Sequence, residues 1–161
     1  MDDATRQRLV GQYKDGPRMI EDALAGITDP ELDARPAPDE WTTREIVHHL
    51  ADSEMTSAIR LRRLIAEPAP AIVGYDQDEF VRVFSNPGRP IAGSFQAFAG
   101  ARSSTAEILD QLSETDWAKA GTHNEIDGPY GVEHWLRIYA GHAHDHADQI
   151  RRARASATNS S

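Results

Sequence analysis

Apolar residues recur every three or four positions along four long stretches of the chain, which is the spacing of an amphipathic helix. The stretches run from about Thr5 to Ile27, Thr42 to Ala66, Ala92 to Leu112 and Gly131 to Arg154. No credible alternation of apolar and polar residues predicts a β-strand. Four helices of about 20 residues, joined by connectors of uneven length, predict an all-α fold of the four-helix-bundle type.

Helix-start signals add detail to this layout. Thr42 is followed three residues later by Glu45, the spacing of a capping box, so we expect the second long helix to begin there. Asp76 and Glu79 repeat that spacing. They predict a short extra helix from Asp76 to Phe84, in the connector between the second and third long helices.

Helix breakers and turn residues predict the remaining segments. The Gly16-Pro17 pair predicts a kink or a break in the first helix, because proline has no N–H to donate within a helix. The segment from Gly121 to Pro129 is rich in turn residues and predicts a connector. We expect residues 1–155 to form a single domain and Ser156 to Ser161 to form a disordered tail.

Composition excludes several classes of function. The formal net charge of −9 disfavours a nucleic-acid partner and an anionic membrane surface. There is no cysteine, so disulfides, zinc–thiolate sites and a cysteine nucleophile are excluded. No run approaches the roughly 18 apolar residues of a membrane span, and the polar start from Met1 to Thr5 does not resemble a signal peptide. We therefore expect a cytoplasmic protein whose metal ligands, if any, are His, Asp or Glu.

Two histidines of the fourth helix point in the same direction. His142 and His146 fall within the apolar stripe that Trp135 and Ile150 help to define, whereas His144 projects to the opposite, solvated side. Side chains four residues apart lie about 6 Å from each other on one helix face. Two such imidazoles can bind one ion at about 2.0–2.1 Å each. The alternative is a pair of hydrogen-bonded histidines on a helix flank.

A third histidine is available on the second helix. His49 lies at the margin of the core stripe beside Ser53, whereas His48 projects away from the core and is expected at the surface. His123 and His134 carry no spacing signal, and we expect them to be solvated or to hydrogen-bond near the site. Three neutral histidines with an open fourth position are typical of a catalytic metal site.

Three carboxylates lie near these histidines in the sequence. Asp52 and Asp145 project to helix flanks, where a surface ion pair is the expected role and a hydrogen bond to a histidine ring is the alternative. Glu54 projects onto the apolar face of its helix, which is unusual for a carboxylate. Two roles are open for it, pairing with an arginine or catalysis as a general base.

Two segments resemble motifs of the DinB-like superfamily. The run from Trp41 to Glu54 resembles the second-helix motif, and the run from His142 to Ile150 resembles the fourth-helix motif His-x-x-x-His-x-x-Gln-Ile. The resemblance implies a four-helix bundle in which His49, His142 and His146 bind one divalent transition metal ion, zinc or nickel. It also implies a homodimer, and the small residues of the third helix are compatible with close packing.

Further similarity is to the YfiT-like branch of metal-dependent hydrolases, which includes bacillithiol S-transferases. It is carried by Ile27 to Leu32, Glu67 to Asp76 and Tyr139 to His142. The chain departs from that branch at Glu54, where the branch usually has histidine, and around Asp145 to Asp148, where it tends to have paired histidines.

Three functions follow as hypotheses. The first is an enzyme that transfers a low-molecular-weight thiol to an electrophilic small molecule, with hydrolysis of a small substrate as the close alternative. The second is a non-catalytic, stress-associated module in which the metal ion mainly holds the helices together. The third, a protein-interaction bundle without metal, requires the inward orientation of all three histidines to be a coincidence.

Overall fold

The computed structural model describes residues 1–158 and shows four long helices, three short helices and a small β-sheet within that part of the chain. In chain order the elements are α1 (Asp3–Leu24), α2 (Asp29–Asp33), α3 (Thr43–Ala66), β1 (Ala71–Ile72), α4 (Gln77–Phe84), α5 (Ala92–Leu109), α6 (Glu114–Trp117), β2 (Ala120–His123), β3 (Ile126–Gly131) and α7 (Val132–Thr158).

The four long helices form a bundle, as the sequence predicts. Helix α1 packs against α5 and α7, and helix α3 packs against the same two helices. The helices α1 and α3, which follow one another as long elements of the chain, therefore lie diagonally across the bundle. Among the described residues, no helix is long and apolar enough to span a membrane.

The predicted helix starts are confirmed. The Thr42 hydroxyl accepts a hydrogen bond from the backbone N–H of Glu45 at 3.2 Å, and the Glu45 carboxylate accepts one from the N–H of Thr42 at 2.8 Å. This reciprocal capping box begins α3. The Asp76 carboxylate accepts from the N–H of Glu79 at 2.9 Å and begins the predicted short helix α4.

A three-stranded sheet is the main difference from the sequence-based expectation. Strand β1 pairs in parallel with β2, and β2 pairs antiparallel with β3. The predicted connector from Gly121 to Pro129 is therefore largely a hairpin. Its strands contain glycine and proline, which are depleted in strands, and show no alternation. Gly121 allows a close approach, since a Cβ there would lie 2.0 Å from the carbonyl oxygen of Pro70.

Three helix ends also differ from the prediction. Helix α1 continues through Gly16-Pro17 without a break and ends at Leu24, and α5 ends at Leu109. Helix α7 continues to Thr158, so the first three residues of the predicted disordered tail are helical. The remaining residues of that tail, 159–161, lie outside the described residues.

The core consists of two clusters stacked along the bundle. Tyr13, Leu61 and Trp135 belong to the first cluster, which includes Tyr139 of α7. The second cluster contains the apolar side chains Ile20, Ile46, Leu50, Phe98, Ala143 and Ile150. On α7, Tyr139 belongs to the first cluster and Ala143 to the second. His142 lies between them in the sequence and therefore sits where the two clusters meet.

Candidate metal centre

The three predicted histidines converge in space. The Nε2 atom of His142 lies 3.3 Å from Nε2 of His49 and 3.2 Å from Nε2 of His146. One ring nitrogen of each residue lies within 4.8 Å of those of the other two. Helix α3 supplies one histidine and α7 supplies two, at the i,i+4 spacing that places both on one face.

These histidines are neutral at neutral pH. Loss of hydration on burial, followed by the neighbouring His146, lowers the pKa of His49 to about 3. Burial also lowers the pKa of His142 well below its ordinary value, with further lowering by the two neighbouring histidines. Burial lowers the pKa of His146, although Gln149 and Asp145 oppose that shift. Each imidazole can therefore present a nitrogen lone pair, which metal binding requires.

Gln149 fixes the orientation of one of the rings. Its side-chain oxygen accepts a hydrogen bond from Nδ1 of His146 at 2.8 Å. Because the proton is then on Nδ1, Nε2 of His146 carries a lone pair directed at His142. Gln149 is the glutamine of the fourth-helix motif His-x-x-x-His-x-x-Gln-Ile, but the sequence alone does not assign it a role. The sequence feature that could have predicted this hydrogen bond is the spacing, since Gln149 lies three residues after His146 on the same helix face.

The cluster is suited to a cation. Nε2 of His142 faces Nε2 of both other histidines, and its Nδ1 is buried without a hydrogen-bond partner among the described residues. A neutral imidazole cannot satisfy two facing lone pairs with a single N–H. A shared divalent cation would satisfy all three Nε2 atoms together. Three imidazole ligands suit Zn, Ni, Cu or Fe, and three protein ligands are typical of catalytic zinc sites.

Trp41 forms a wall of the cluster. Its ring centroid lies 4.7 Å from that of His49, and its ring stacks on His146 with an interplanar angle of 13°. In the sequence, Trp41 is the first residue of the run that resembles the second-helix motif, and the sequence alone assigns it no contact with the histidines. In the structure, the indole packs against two of the three imidazoles.

A cavity of about 470 Å³ lies beside one of the three histidines, His142. Its lining includes His142 and Tyr139 of α7, Ser53 and Arg60 of α3, and Tyr75 just before α4. The volume falls within the range of pockets that bind small molecules. Nothing in the sequence singles out Arg60, because periodicity does not distinguish it from the neighbouring arginines of α3.

Glu54 is engaged in a buried ion pair. Its carboxylate lies 2.8 Å from a guanidinium nitrogen of Arg102, and it also accepts hydrogen bonds from the Tyr13 hydroxyl and, at 3.3 Å, from the Ser57 hydroxyl. The structure thus shows the arginine pairing that the sequence left open. The general-base role stays a prediction, and no oxygen of this carboxylate is free of a hydrogen bond.

Two other histidines are more buried than predicted. His48, expected at the surface, is 1% exposed, and its Nδ1 lies 2.8 Å from the Ser94 hydroxyl of α5. That expectation was wrong because α3 is covered by α5 on one side and by α7 on another. His144, expected in solvent, is partly buried and its ring hydrogen-bonds the backbone oxygen of Gln12 of α1 at 3.0 Å.

The remaining candidates are not members of the three-histidine cluster. His123 is buried in β2 and its Nδ1 accepts from the N–H of Glu125 at 3.2 Å. His134 is partly buried against the ring of Tyr130. Within the described residues, neither Asp52 nor Asp145 forms the expected ion pair or a hydrogen bond to a histidine ring. Burial raises the pKa of Asp52.

Comparison with known proteins agrees with this geometry. The family model described as the DinB superfamily matches residues 12–150. A relative from Oceanobacillus iheyensis named "Putative metal-dependent hydrolase OB0782" is 30% identical over 141 residues, covering 88% of this chain and 81% of the relative. "Putative metal-dependent hydrolase YfiT" of Bacillus subtilis is 28% identical over 145 residues, covering 90% of this chain and 82% of that protein.

A comparison with solved structures also finds a similar fold over most of this chain. The structure described as "YfiT from Bacillus subtilis is a probable metal-dependent hydrolase with an unusual four-helix bundle topology" matches with a TM-score of 0.87 and 25% sequence identity. The match covers 95% of this chain and 87% of that one. The four-helix bundle of this chain therefore has the fold of a solved structure.

Proposed function

The chain belongs to the DinB superfamily, and from that membership we propose that it is a metal-dependent enzyme that transfers a low-molecular-weight thiol to an electrophilic small molecule. The observation that carries the proposal is the convergence of three neutral Nε2 atoms beside a cavity of about 470 Å³. We propose that His49, His142 and His146 hold one divalent transition metal ion, zinc or nickel.

The chemistry required of the site is activation of a nucleophile. When bound by three neutral imidazoles, a divalent cation keeps its full charge and lowers the pKa of a thiol or a water molecule. The protein contributes orientation and packing. Gln149 holds the His146 ring with its lone pair towards the cluster, and Trp41 packs against the rings of His49 and His146.

The surroundings of the cluster favour a thiol over water as the nucleophile. The carboxylate of Glu54 already accepts hydrogen bonds from Arg102 and Tyr13, so an attacking water would have to compete with them for its oxygens. A thiol has an unperturbed pKa of about 8.5 and needs only a small shift to ionise at neutral pH, whereas water at about 15.7 needs a large one. Thiol activation therefore demands less of the other residues.

Hydrolysis of a small substrate is the second candidate. The observation in its favour is that the relatives from Oceanobacillus iheyensis and Bacillus subtilis are both named metal-dependent hydrolases, with the qualification "putative". The same cavity and cluster would serve either reaction. The two candidates differ in the nucleophile and are separated by whether product formation requires an added thiol.

The first experiment is metal analysis joined to two assays. We expect about one zinc or nickel ion per chain in the wild type, loss of the ion in His142→Ala, and retention in His144→Ala, which alters the neighbouring non-converging histidine. The metal-loaded protein is then assayed with 2-mercaptoethanol and 1-chloro-2,4-dinitrobenzene, and separately with p-nitrophenyl acetate without thiol. Chelation should abolish thiol transfer, and restored metal should recover it.

Other outcomes assign the protein differently. Thiol-independent ester hydrolysis that requires the metal would favour the hydrolase. Bound metal that raises the thermal midpoint but supports neither reaction would favour the non-catalytic metal-binding module. Absence of metal uptake on titration with zinc and nickel would overturn the metal-dependent proposal. The homodimer implied by family resemblance is tested by analytical ultracentrifugation of the same preparations.

A further inference from the structure

Three exposed apolar side chains face one groove between α3 and the connector that follows it. Met55, Ile59 and Val73 line this groove and are 45%, 59% and 63% exposed. The first two lie four residues apart on one face of α3, and the third comes directly after β1. Large apolar side chains that cluster on the surface of a soluble protein mark a binding site, whereas single ones are common.

The two sides of the groove are held in place by the fold. Its lining includes the buried side chain of Ile72, which belongs to β1 and pairs with His123 of β2. Arg60 of α3 donates a hydrogen bond to the carbonyl oxygen of Val73 at 2.8 Å, which ties the connector to the helix. The groove is therefore formed before a ligand binds, so binding requires little ordering of the chain. Its volume of about 420 Å³ suits a small molecule.

The polar groups of the groove already have partners within the protein. The Thr56 hydroxyl donates to a backbone oxygen one turn earlier on α3 at 2.7 Å, and Arg63 forms an ion pair with Glu67 at 3.0 Å. Both terminal nitrogens of Arg60 donate to oxygens of neighbouring residues. An uncharged apolar ligand gains contact area here and loses no hydration of a charge, so it suits the groove better than an ion does.

Arg60 joins this groove to the cavity beside His142. Its side chain lines both spaces. The guanidinium donates to the Tyr139 hydroxyl, in the lining of the cavity, at 3.0 Å and to the carbonyl of Val73, in the lining of the groove, at 2.8 Å. A molecule that lies in the groove therefore has to pass only one side chain to reach the cavity.

A second space adjoins the same cavity but is less suited to an apolar ligand. It has a volume of about 710 Å³ and shares Ile138 with the cavity. Among the described residues, Ile138 is its only strongly exposed large apolar side chain, whereas the groove on α3 presents three. Its lining also includes the titratable side chains of Lys119, Glu133, His134 and Arg137, whose hydration an apolar ligand would disturb.

We propose that the groove binds the apolar body of the electrophilic substrate while its reactive carbon passes Arg60 and enters the cavity beside His142. This inference rests on the proposed function and specifies the class of electrophile, a terminal epoxide that carries an uncharged alkyl chain. The thiol sulfur bonds to the terminal carbon as the carbon–oxygen bond breaks, and the oxygen takes up the proton that the thiol releases. Met55, Ile59 and Val73 bind the chain and take no part in bond making.

Binding of an uncharged fluorescent probe tests the groove without relying on turnover. N-phenyl-1-naphthylamine is titrated into the metal-loaded protein without thiol, and 1,2-epoxyalkanes of four to ten carbons then compete with it. We expect each added methylene to strengthen competition about three- to fourfold until the groove is filled, the gain from burying one methylene group. Ile59→Ser and Val73→Ser each remove apolar surface and should weaken probe binding by about fivefold or more.

Two further variants control for surface hydrophobicity and for packing. Val83→Ser removes an apolar side chain of 41% exposure from α4, outside the groove, and should bind the probe as the wild type does. Ile59→Leu keeps the apolar volume and should retain most of the binding. Because Ile59 and Val73 are more than half exposed, their serine variants are expected to fold normally.

Turnover then tests whether the groove serves the reaction. The metal-loaded protein is assayed with 2-mercaptoethanol and the same epoxides, and we expect kcat/KM to rise with chain length. Ile59→Ser should lose most of that rise, and Val83→Ser should keep it. A wild-type kcat/KM that does not depend on chain length, or the same dependence in Ile59→Ser, would overturn the inference. Transfer to 1-chloro-2,4-dinitrobenzene but to no epoxide would overturn the assigned class of electrophile.

The two assays separate failure of the groove from failure of the proposed function. If no electrophile reacts but Ile59→Ser binds the probe more weakly, thiol transfer fails and the groove stands as an apolar binding site. Absent probe binding in the wild type, or equal binding in Ile59→Ser, overturns the groove even if thiol transfer is observed. Absent probe binding together with a dimer that dissociates in Ile59→Ser, measured by analytical ultracentrifugation, would assign this face to a second copy of the chain instead.

Discussion

The guanidinium of Arg102 lies 2.8 Å from the carboxylate of Glu54, and the two side chains are 1% and 0% exposed. Arg102 also donates to the backbone oxygens of Tyr13 at 3.1 Å and Tyr139 at 3.0 Å. These four residues belong to α5, α3, α1 and α7. One buried guanidinium therefore connects all four long helices at the level of the candidate metal centre.

Breaking this ion pair should destabilise the fold strongly. Glu54→Gln or Arg102→Met leaves one buried charge without its partner, and we expect each to lower the free energy of unfolding by about 3–5 kcal/mol. The measurement is urea denaturation followed by circular dichroism. Asp110→Asn, which breaks the exposed pair with Lys14, is the matched control and should change stability little.

The Glu54→Gln variant also tests whether Glu54 acts as a general base. If the carboxylate only stabilises the bundle, the folded fraction of Glu54→Gln should bind one metal ion per chain and keep most of its thiol-transfer rate. A rate reduced by two or more orders of magnitude in fully folded, metal-loaded Glu54→Gln would instead support general-base catalysis.

Gly16 should not tolerate a side chain, because the guanidinium of Arg102 lies directly against it. A Cβ at this buried position would lie 2.1 Å from a terminal nitrogen of Arg102 and 2.9 Å from Cβ of Ala143. We expect Gly16→Ala to lower the free energy of unfolding by about 1–3 kcal/mol through overpacking. Gly11→Ala is the matched control in α1, because nothing lies within 4 Å of its Cβ position.

The control variant Gly11→Ala should change the free energy of unfolding in the opposite direction. Alanine is favoured over glycine in a helix interior by about 0.5–1 kcal/mol, so Gly11→Ala is expected to stabilise the protein slightly. Thermal denaturation of both variants gives the comparison. Equal midpoints for the two variants would mean that Arg102 can move away from α1 without cost.

The bundle and the three converging histidines could be predicted because helix phase alone determines them. His142 and His146 are four residues apart on one apolar stripe, and the phase of α3 leaves His49 as the available third residue. The same argument was wrong for His48. A single apolar stripe shows one core direction, whereas α3 is covered on two sides and Ser94 of α5 reaches His48.

Features that depend on two distant segments could not be predicted in this way. Arg102 lies in a helix rich in small residues, and only the inward carboxylate of Glu54 indicated that a buried cation was needed. The strands are short and contain glycine and proline, so their pairing is visible only in three dimensions. The same holds for the cavity between His142 and Arg60.

Gln149 should contribute to metal affinity without binding the ion. Replacing it with leucine removes the acceptor for Nδ1 of His146, so the ring loses its fixed orientation. We expect Gln149→Leu to weaken metal binding by about 10- to 100-fold. Competition with a chromophoric chelator measures the affinity. Asp148→Asn, which alters an exposed neighbour paired with Arg151, should bind metal as the wild type does.

The metal-free protein should lose stability as the pH falls below about 6.5, the unperturbed pKa of histidine. Burial lowers the pKa of His49 to about 3 and that of His48 to about 4 in the folded state. Between these values and 6.5 the unfolded chain binds more protons than the folded chain, so acidification favours unfolding. Each such histidine contributes a slope of about 1.4 kcal/mol per pH unit.

Acid also protonates carboxylates, so the histidine contribution must be isolated by comparison. Urea denaturation of the metal-free protein from pH 7.5 to 4.5 gives the free energy of unfolding at each pH. His49→Gln lacks one buried titrating ring, and its stability should fall less steeply than that of the wild type between pH 6.5 and 4.5. Parallel curves for the two proteins would contradict the prediction, because they would mean that His49 is protonated to the same extent in the folded and unfolded chains.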